Sequence, residues 1–368
     1  MKNKGLLLGI ILFLLLLLNT GCVEYLTNDG STTYQSHPTK INYTVRYGYY
    51  VNCTGTGIYK INYDCDIPEV LSGTSLYDIL HKNDYEIKTI VDNRMVTWNI
   101  SGQESTNLVL GIQADVQAES FMISDLNGEN ALNISEIKIN HPDIVERYCQ
   151  AQVVDDVTYI DPDNTVIKNI AENILAESNS ENSFIVAKNL FKWLKENTSY
   201  YIHYSDLSVR PAITTYQESK GDCDDLSVLY ISLCRALEIP ARFIRGIIID
   251  VNSNEITATA HAWPSVFVGG DVGAAGWVPV ECAGTASGEN KIANEINQNF
   301  AMESVGHLRL FRGKGDNESL NVSMSGPIAY YDPESIDFSM VDFIEITNYQ
   351  VIESNELYID KNGIRTYK

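Results

Sequence analysis

Behind Lys2 and Lys4 the chain opens with an apolar run from Leu6 to Leu18. The run is shorter than the roughly 20 helical residues needed to cross a bilayer core, and it predicts a signal-peptide segment over 1–21. Residues 22–40, rich in Thr, Ser, Asn and Gly, show no apolar period and read as an anchor and tether. From about Asn42 to Tyr148 the pattern becomes short β-prone runs, TVRYGYYV, GIYKINYDC, MVTWNI and NLVLGIQADV, separated by Gly, Asn and Asp. This predicts a β-sandwich of immunoglobulin-like size over 41–150.

After Asp161-Pro162-Asp163 the period turns helical, with Val166, Ile170 and Ile174 four apart and then Phe184, Ala187, Phe191 and Leu194 three or four apart. The segment NTSYYIHYS is expected to be extended. A third helix runs from Asp222 to about Leu237, because Leu226, Leu229, Tyr230, Leu233 and Leu237 share a face and Pro240 follows. ARFIRGIIIDV, TATAHAWPSVFV and GWVPVE read as consecutive strands, the last two joined by the glycine-rich turn GGDVGAAG. Helices followed by an antiparallel sheet make an α+β domain over 160–285. Residues 286–368 read as a β-rich C-terminal extension in which Asn362-Gly363 signals a tight hairpin.

Composition narrows the functional classes. A hydrophobic share of 44% with 20% charged residues describes a chain that folds rather than a disordered one. The 26 Lys plus Arg against 48 Asp plus Glu give a net charge of -22, which argues against a nucleic-acid partner. Loss of residues 1–21, with their two lysines and no acids, takes the charge from -22 to -24. Seven cysteines in 368 residues are too few for a disulfide scaffold. Cys53, Cys65 and Cys149 form an odd set, so at most one pair of them can be bridged, and the sequence does not choose which.

Asn19-Thr20-Gly21-Cys22 resembles a lipoprotein processing site, although Asn19 stands where such sites usually carry Leu. That resemblance implies lipidation of Cys22 and a place on the extracellular face of the cell membrane, or secretion if cleavage occurs without lipid. Sequons at Asn42, Asn52, Asn99, Asn133, Asn197, Asn317 and Asn321 fit an exported glycoprotein.

The candidate chemistry lies in Cys223, His261 and Glu281. Asp222 is suited to cap the third helix and Asp225 to reach back to the cap, which puts Cys223 in the first turn, where free amides stabilise a thiolate. Asp222, Asp224 and Asp225 oppose that charge, so the expectation is a thiolate paired with a His261 imidazolium. If Val268 pairs with Gly276 across the turn, Trp263 pairs with Glu281 and His261 becomes its diagonal neighbour on the same face. Glu281 then orients the imidazole while the other ring nitrogen faces Cys223. A backbone N–H at the helix start is a natural oxyanion donor, and Tyr200, Tyr201 and His203 are the candidate side-chain donors. Trp263 and Trp277 are candidate cleft walls. Cys234 and Cys282 are expected to pack in the core.

GDCDDLSVLY, HAW about forty residues later and GWVPVE about twenty after that resemble the transglutaminase-like core, a papain-like fold with a Cys-His-Asp triad. The resemblance spans about 165–285 and implies Cys223 as nucleophile, His261 as base and Glu281 at the family's Asp position. It also implies thioester chemistry on an amide of a protein or peptide substrate at the cell surface, of peptidase, amidase or transglutaminase type. The alternative is a non-catalytic surface binding or scaffold protein that keeps the fold, toward which the Glu-for-Asp departure points. No cofactor is implied. Six scattered histidines without HExxH or CxxC give no metal site.

Overall fold

A computed structural model describes residues 33–69, 76–204, 208–250, 256–285, 290–360 and 363–368. Cys22 and the signal segment lie outside the described residues. Among those described, no helix is long and apolar enough to cross a membrane.

The predicted sandwich is present, but both ends of the chain build it. Strands β1 (Thr33–Gly55), β2 (Tyr59–Asp66), β3 (Leu76–Ile79), β4 (Tyr85–Ile90), β5 (Asn93–Gly102) and β6 (Thr106–Glu119) come from the first third of the chain. Within β1, Ile41, Tyr43, Val45, Tyr47, Val51 and Cys53 are buried at alternate positions, the period of a strand with one face on a core. Short helices α1 (Ile134–Asn140) and α2 (Pro142–Tyr148) follow, so the sandwich strands stop well before residue 150 and Cys149 lies beyond them.

Helices α3 (Thr165–Ser178) and α4 (Ser183–Asn197) occupy the two predicted spans, each opened by an Asn whose side chain accepts main-chain N–H groups, Asn164 and Asn182. A short helix, α5 (Ala212–Glu218), was not signalled by the apolar period. Helix α6 (Cys223–Ala236) is the central element, buried continuously from Asp225 to Arg235. An all-round buried helix must satisfy its polar groups internally. Ser232 Oγ donates to Val228 O at 2.8 Å and accepts from Asp161 N at 3.0 Å.

Against α6 lies an antiparallel sheet in the order β9-β8-β7-β10, formed by β7 (Ala241–Asp250), β8 (Thr257–Phe267), β9 (Trp277–Pro279) and β10 (His307–Arg312). Helix α7 (Lys291–Asn299) lies between β9 and β10 in sequence, and α8 (Asn317–Met324) follows. The predicted GGDVGAAG turn carries positive φ at Gly269, Gly270, Gly273 and Gly276. Gly246 on β7 is required by close approach, since a Cβ there would sit 2.0 Å from Leu308 O on β10.

Strands β11 (Ile328–Tyr331), β12 (Ile336–Ile359) and β13 (Arg365–Tyr367) then return to the sandwich. Its sheets run β13-β12-β1-β6-β3 and β11-β2-β5-β4. One expectation is corrected: residues 33–40 are not tether, because β1 begins at Thr33 and pairs with β12 along its length. Residues 286–368 are β-rich as expected, and their strands join existing sheets, β10 completing the core sheet and β11 to β13 the sandwich. The sandwich core is continuous with the underside of the core sheet, since Ile247, Ile249, Leu308 and Leu310 pack among its side chains. The predicted hairpin joins β12 and β13, with Asn362 outside the described residues. The six described cysteines, Cys53, Cys65 and Cys149 among them, are free thiols.

Arg365 locks this closure. Fully buried, it donates from Nη1 to Asn297 O at 2.9 Å and Phe300 O at 3.0 Å, from Nη2 to Ala301 O at 3.1 Å and from Nε to Ile123 O at 3.0 Å. These carbonyls include the C-terminal end of α7, where a cation is favoured. Arg365→Ala strands several buried acceptors and should cost about 3 kcal/mol or more, read from urea unfolding. A loss below about 1 kcal/mol, the worth of one ordinary hydrogen bond, would show that the clamp carries little.

Candidate active site

The register predicted for His261 and Glu281 is the register observed. Ser265 pairs with Pro279, Val266 with Val278 and Phe267 with Trp277, and Val268 N donates to Gly276 O at 2.7 Å. His261 Nε2 meets Glu281 Oε2 at 2.6 Å. The other carboxylate oxygen is held by the chain reversal after β9, where Oε1 accepts Ala283 N at 2.7 Å and Gly284 N at 3.1 Å. Lys195 on α4 fixes that reversal by donating to Cys282 O at 2.6 Å and Gly284 O at 2.5 Å. The longer Glu side chain at an Asp position is therefore fully bonded.

His307, at the start of β10, was missed by the sequence reading. Its Nε2 lies 2.9 Å from the same Glu281 Oε2, and its Nδ1 lies 3.0 Å from Ser304 Oγ. One carboxylate oxygen thus serves two buried imidazoles. Burial raises the Glu281 pKa, but the charge and hydrogen bond of His261, with those of His307, outweigh it and hold the carboxyl well below its ordinary range. For His307, burial lowers the pKa, while the Glu281 hydrogen bond and charge overcome it and raise the imidazole above 6.5. The available signal was a histidine opening an alternating strand, with nothing local to connect it to residue 281.

Cys223 stands half-buried at the start of α6, as expected. Ala262, the residue after His261, donates a backbone hydrogen bond to its sulfur. Ser227 Oγ donates to Cys223 O at 2.5 Å and lies 3.5 Å from Ala262 O, so the first turn of α6 is held against β8. The expected preformed thiolate is corrected. Burial, then the charges of Asp224, Asp222 and Glu281, push the thiol pKa well above 9.0 despite the Ala262 bond. Burial and the adjacent Asp222 also raise the Asp224 carboxyl above its ordinary range.

The candidate cleft residues separate. Burial and then the nearby Cys223 charge raise Tyr200 to about 12, so its hydroxyl lies within the field of the thiol. Tyr201 is exposed, with Lys220 Nζ 4.3 Å from its ring centre. His203 pairs with Glu218 at 3.5 Å. Trp263 is not a cleft wall. Its side chain is 1% exposed, stacks on the His261 ring at 5.5 Å and donates to Glu303 at 3.0 Å, which backs the imidazole. Trp277 is buried against Phe267 and Tyr148 at the other end of the sheet, away from His261. Cys234 and Cys282 are buried core residues, as expected.

Among the described residues, two clusters have donor atoms close enough to hold an ion: His261, Glu281 and His307, and the acids Asp222, Asp224 and Asp225. In the first, the imidazole nitrogens are already directed at the carboxylate, and an ion would replace those hydrogen bonds.

The chain is an α+β fold that carries a thiol at a helix start, an imidazole on a strand packed against that helix and an acid just after the next strand. Residues 168–282 match the family model of the transglutaminase-like superfamily, and the core of this chain has that fold. Among solved structures, the chain is similar to a candidate cysteine protease from Cytophaga hutchinsonii, with 16% identity and a TM-score of 0.51 over 91% of this chain and 100% of that one. A looser similarity, with 12% identity and a TM-score of 0.32, is to the periplasmic domain of TgpA from Pseudomonas aeruginosa, over 70% of this chain and 94% of that one. No curated protein matches the chain.

The electrostatics predict the pH profile of Cys223 alkylation. A thiol whose pKa is raised is protonated at neutral pH, so the iodoacetamide rate should climb through pH 7 and past ~8.5 with no acidic plateau. Peptide mass spectrometry of the alkylated chain reads this directly, and a plateau below pH 7 would restore the ion pair.

Proposed function

We propose that this protein is a thiol acyl-transfer enzyme acting on amide bonds of proteins or peptides. The observation that carries the reading is the arrangement around Glu281, which places a tightly held His261 on the strand position next to the amide that binds the Cys223 sulfur. With Nε2 committed to Glu281, Nδ1 of His261 is the nitrogen free to act as base.

In the resting state the nucleophile is a neutral thiol. As substrate binds, His261 Nδ1 takes the Cys223 proton while the sulfur attacks the amide carbonyl. Backbone N–H groups at the start of α6, together with the Tyr200 hydroxyl, supply hydrogen bonds to the oxyanion. Collapse transfers the proton from His261 to the leaving amine and leaves a thioester on Cys223. Attack on that thioester by water gives hydrolysis, and attack by an amine gives transfer, with His261 accepting the incoming proton in both cases. Glu281 fixes the imidazole and stabilises its charged form, and His307 holds Glu281.

The signal segment, the lipid-type site at Cys22 and the sequons support an exported chain acting at the cell surface, tethered through Cys22. The raised thiol pKa favours the second reading, a surface binding or scaffold protein that retains the fold.

A panel of casein, glutamine-containing peptides and amidated dipeptides, with hydroxylamine as acceptor, separates the two readings. The enzyme should release hydroxamate or hydrolysed product, and Cys223→Ala should abolish both. Glu281→Gln should lower kcat by about 10² to 10⁴, since it removes the charge that supports the imidazolium. His307→Gln, acting through Glu281, should cost about 10-fold and shift the acidic limb of the pH profile. Turnover unaffected by Cys223→Ala would eliminate the thiol mechanism, and a folded chain that turns over no member of the panel would favour the scaffold.

A further inference from the structure

By strand alternation, Arg242, paired with Ser265, lies on the same face of the core sheet as His261, paired with Gly246. The two positions are four residues apart along β7, roughly 13 Å. Arg242 lines a cavity of about 380 Å³ between the β4–β5 turn of the sandwich and the end of β10. The charged lining is Arg94, Arg242, Arg312 and Lys314 against Glu69 and Asp92, a cationic excess in a chain whose net charge is -22. Ile67, Pro68 and Leu310 supply apolar wall.

Both carboxylates are already engaged. Glu69 pairs with Arg312, and Asp92 lies 3.2 Å from Lys314 Nζ. Arg94 donates to the Tyr77 hydroxyl at 3.0 Å. Arg242 differs from the other deeply buried arginines. Arg235 gives its guanidinium to main-chain carbonyls of Ala241 and Gln150, and Arg365 gives its own to four carbonyl groups. Arg242 is 8% exposed, makes no ion pair among the described residues and has a buried Nε without a partner. Its guanidinium lies 3.9 Å over the Trp277 ring, and its polar neighbour is Tyr148. A buried cation without a counter-ion is costly, and a guanidinium held over an indole is preorganised for an oxyanion.

We infer that this cavity binds a small ligand through a carboxylate or phosphate group seated between Arg242 and Arg312. The size of the cavity suits a compact molecule or a single peptide side chain, and the apolar wall accepts its carbon stem. The inference does not depend on the thiol chemistry.

Isothermal titration of the whole chain with inorganic phosphate and, separately, with succinate tests it. At least one anion should bind at millimolar concentration or below. Arg242→Gln and Arg312→Gln should each weaken it by about tenfold or more, as expected for loss of a charge-assisted bond. Arg46→Gln, whose partner Glu345 is on the sandwich surface, should bind as the wild type does. Lys314→Gln, at a less buried position, gives the same test should Arg242→Gln fail to fold by circular dichroism. Binding of phosphate alone assigns a phosphate ligand, and binding of succinate alone a carboxylate. Binding of neither, or equal binding by the folded cavity variants and the wild type, overturns the inference.

Discussion

The site depends on one carboxylate oxygen that meets two imidazoles. Glu281 Oε2 faces both His261 and His307, while Oε1 is held by two main-chain amides. A carboxylate this deeply buried is costly unless it is paired and hydrogen-bonded, and here every partner comes from a different piece of chain. His261 stands on β8, His307 opens β10, and the amides belong to the turn after β9. The ion-pair arrangement therefore requires the three core strands to be in register. The same pairing commits Nε2 of His261 to Glu281 and leaves Nδ1 outside it.

The rest of the architecture holds that register. Helix α6 packs on one face of the sheet and carries Cys223 at its exposed end, while Ser227 ties its first turn to the strand of His261. On the other face, Trp263 backs the His261 ring and bonds Glu303, which Arg309 of β10 also holds. The sandwich buttresses β7 and β10 because Ile247, Ile249, Leu308 and Leu310 belong to its core. Arg365, near the end of the chain, fastens β13 to the α7 segment that leads back to the site.

Local pattern made helices α3, α4 and α6 and the His261–Glu281 register legible, because a 3.6-residue period and a glycine turn between two strands need no distant information. The short helices α1, α2, α5, α7 and α8 span too few turns for that period to stand out, and the other features that escaped are non-local. Residues 286–368 read only as β-rich, and nothing in them names the sheets their strands join, so the closure of the sandwich by residues 328–367 was invisible. His307 reaches Glu281 only because β10 pairs with β7 across an intervening helix. The thiolate expected at Cys223 rested on a His261 imidazolium to offset the acidic turn, but burial, which local pattern does not reveal, is the larger influence on the thiol. Trp277 belonged to the right strand but to the end occupied by Arg242 and Tyr148.

The shared carboxylate is tested most directly by nitrogen-15 NMR titration of the histidine rings in the wild type and in Glu281→Gln. His307 should titrate above 6.5 in the wild type, and its midpoint should fall when the Glu281 charge is removed and burial is opposed only by the Glu303 charge and the Ser304 bond. A wild-type midpoint at or below 6.5, unmoved by the substitution, would contradict the account, because His307 would then draw no charge from Glu281.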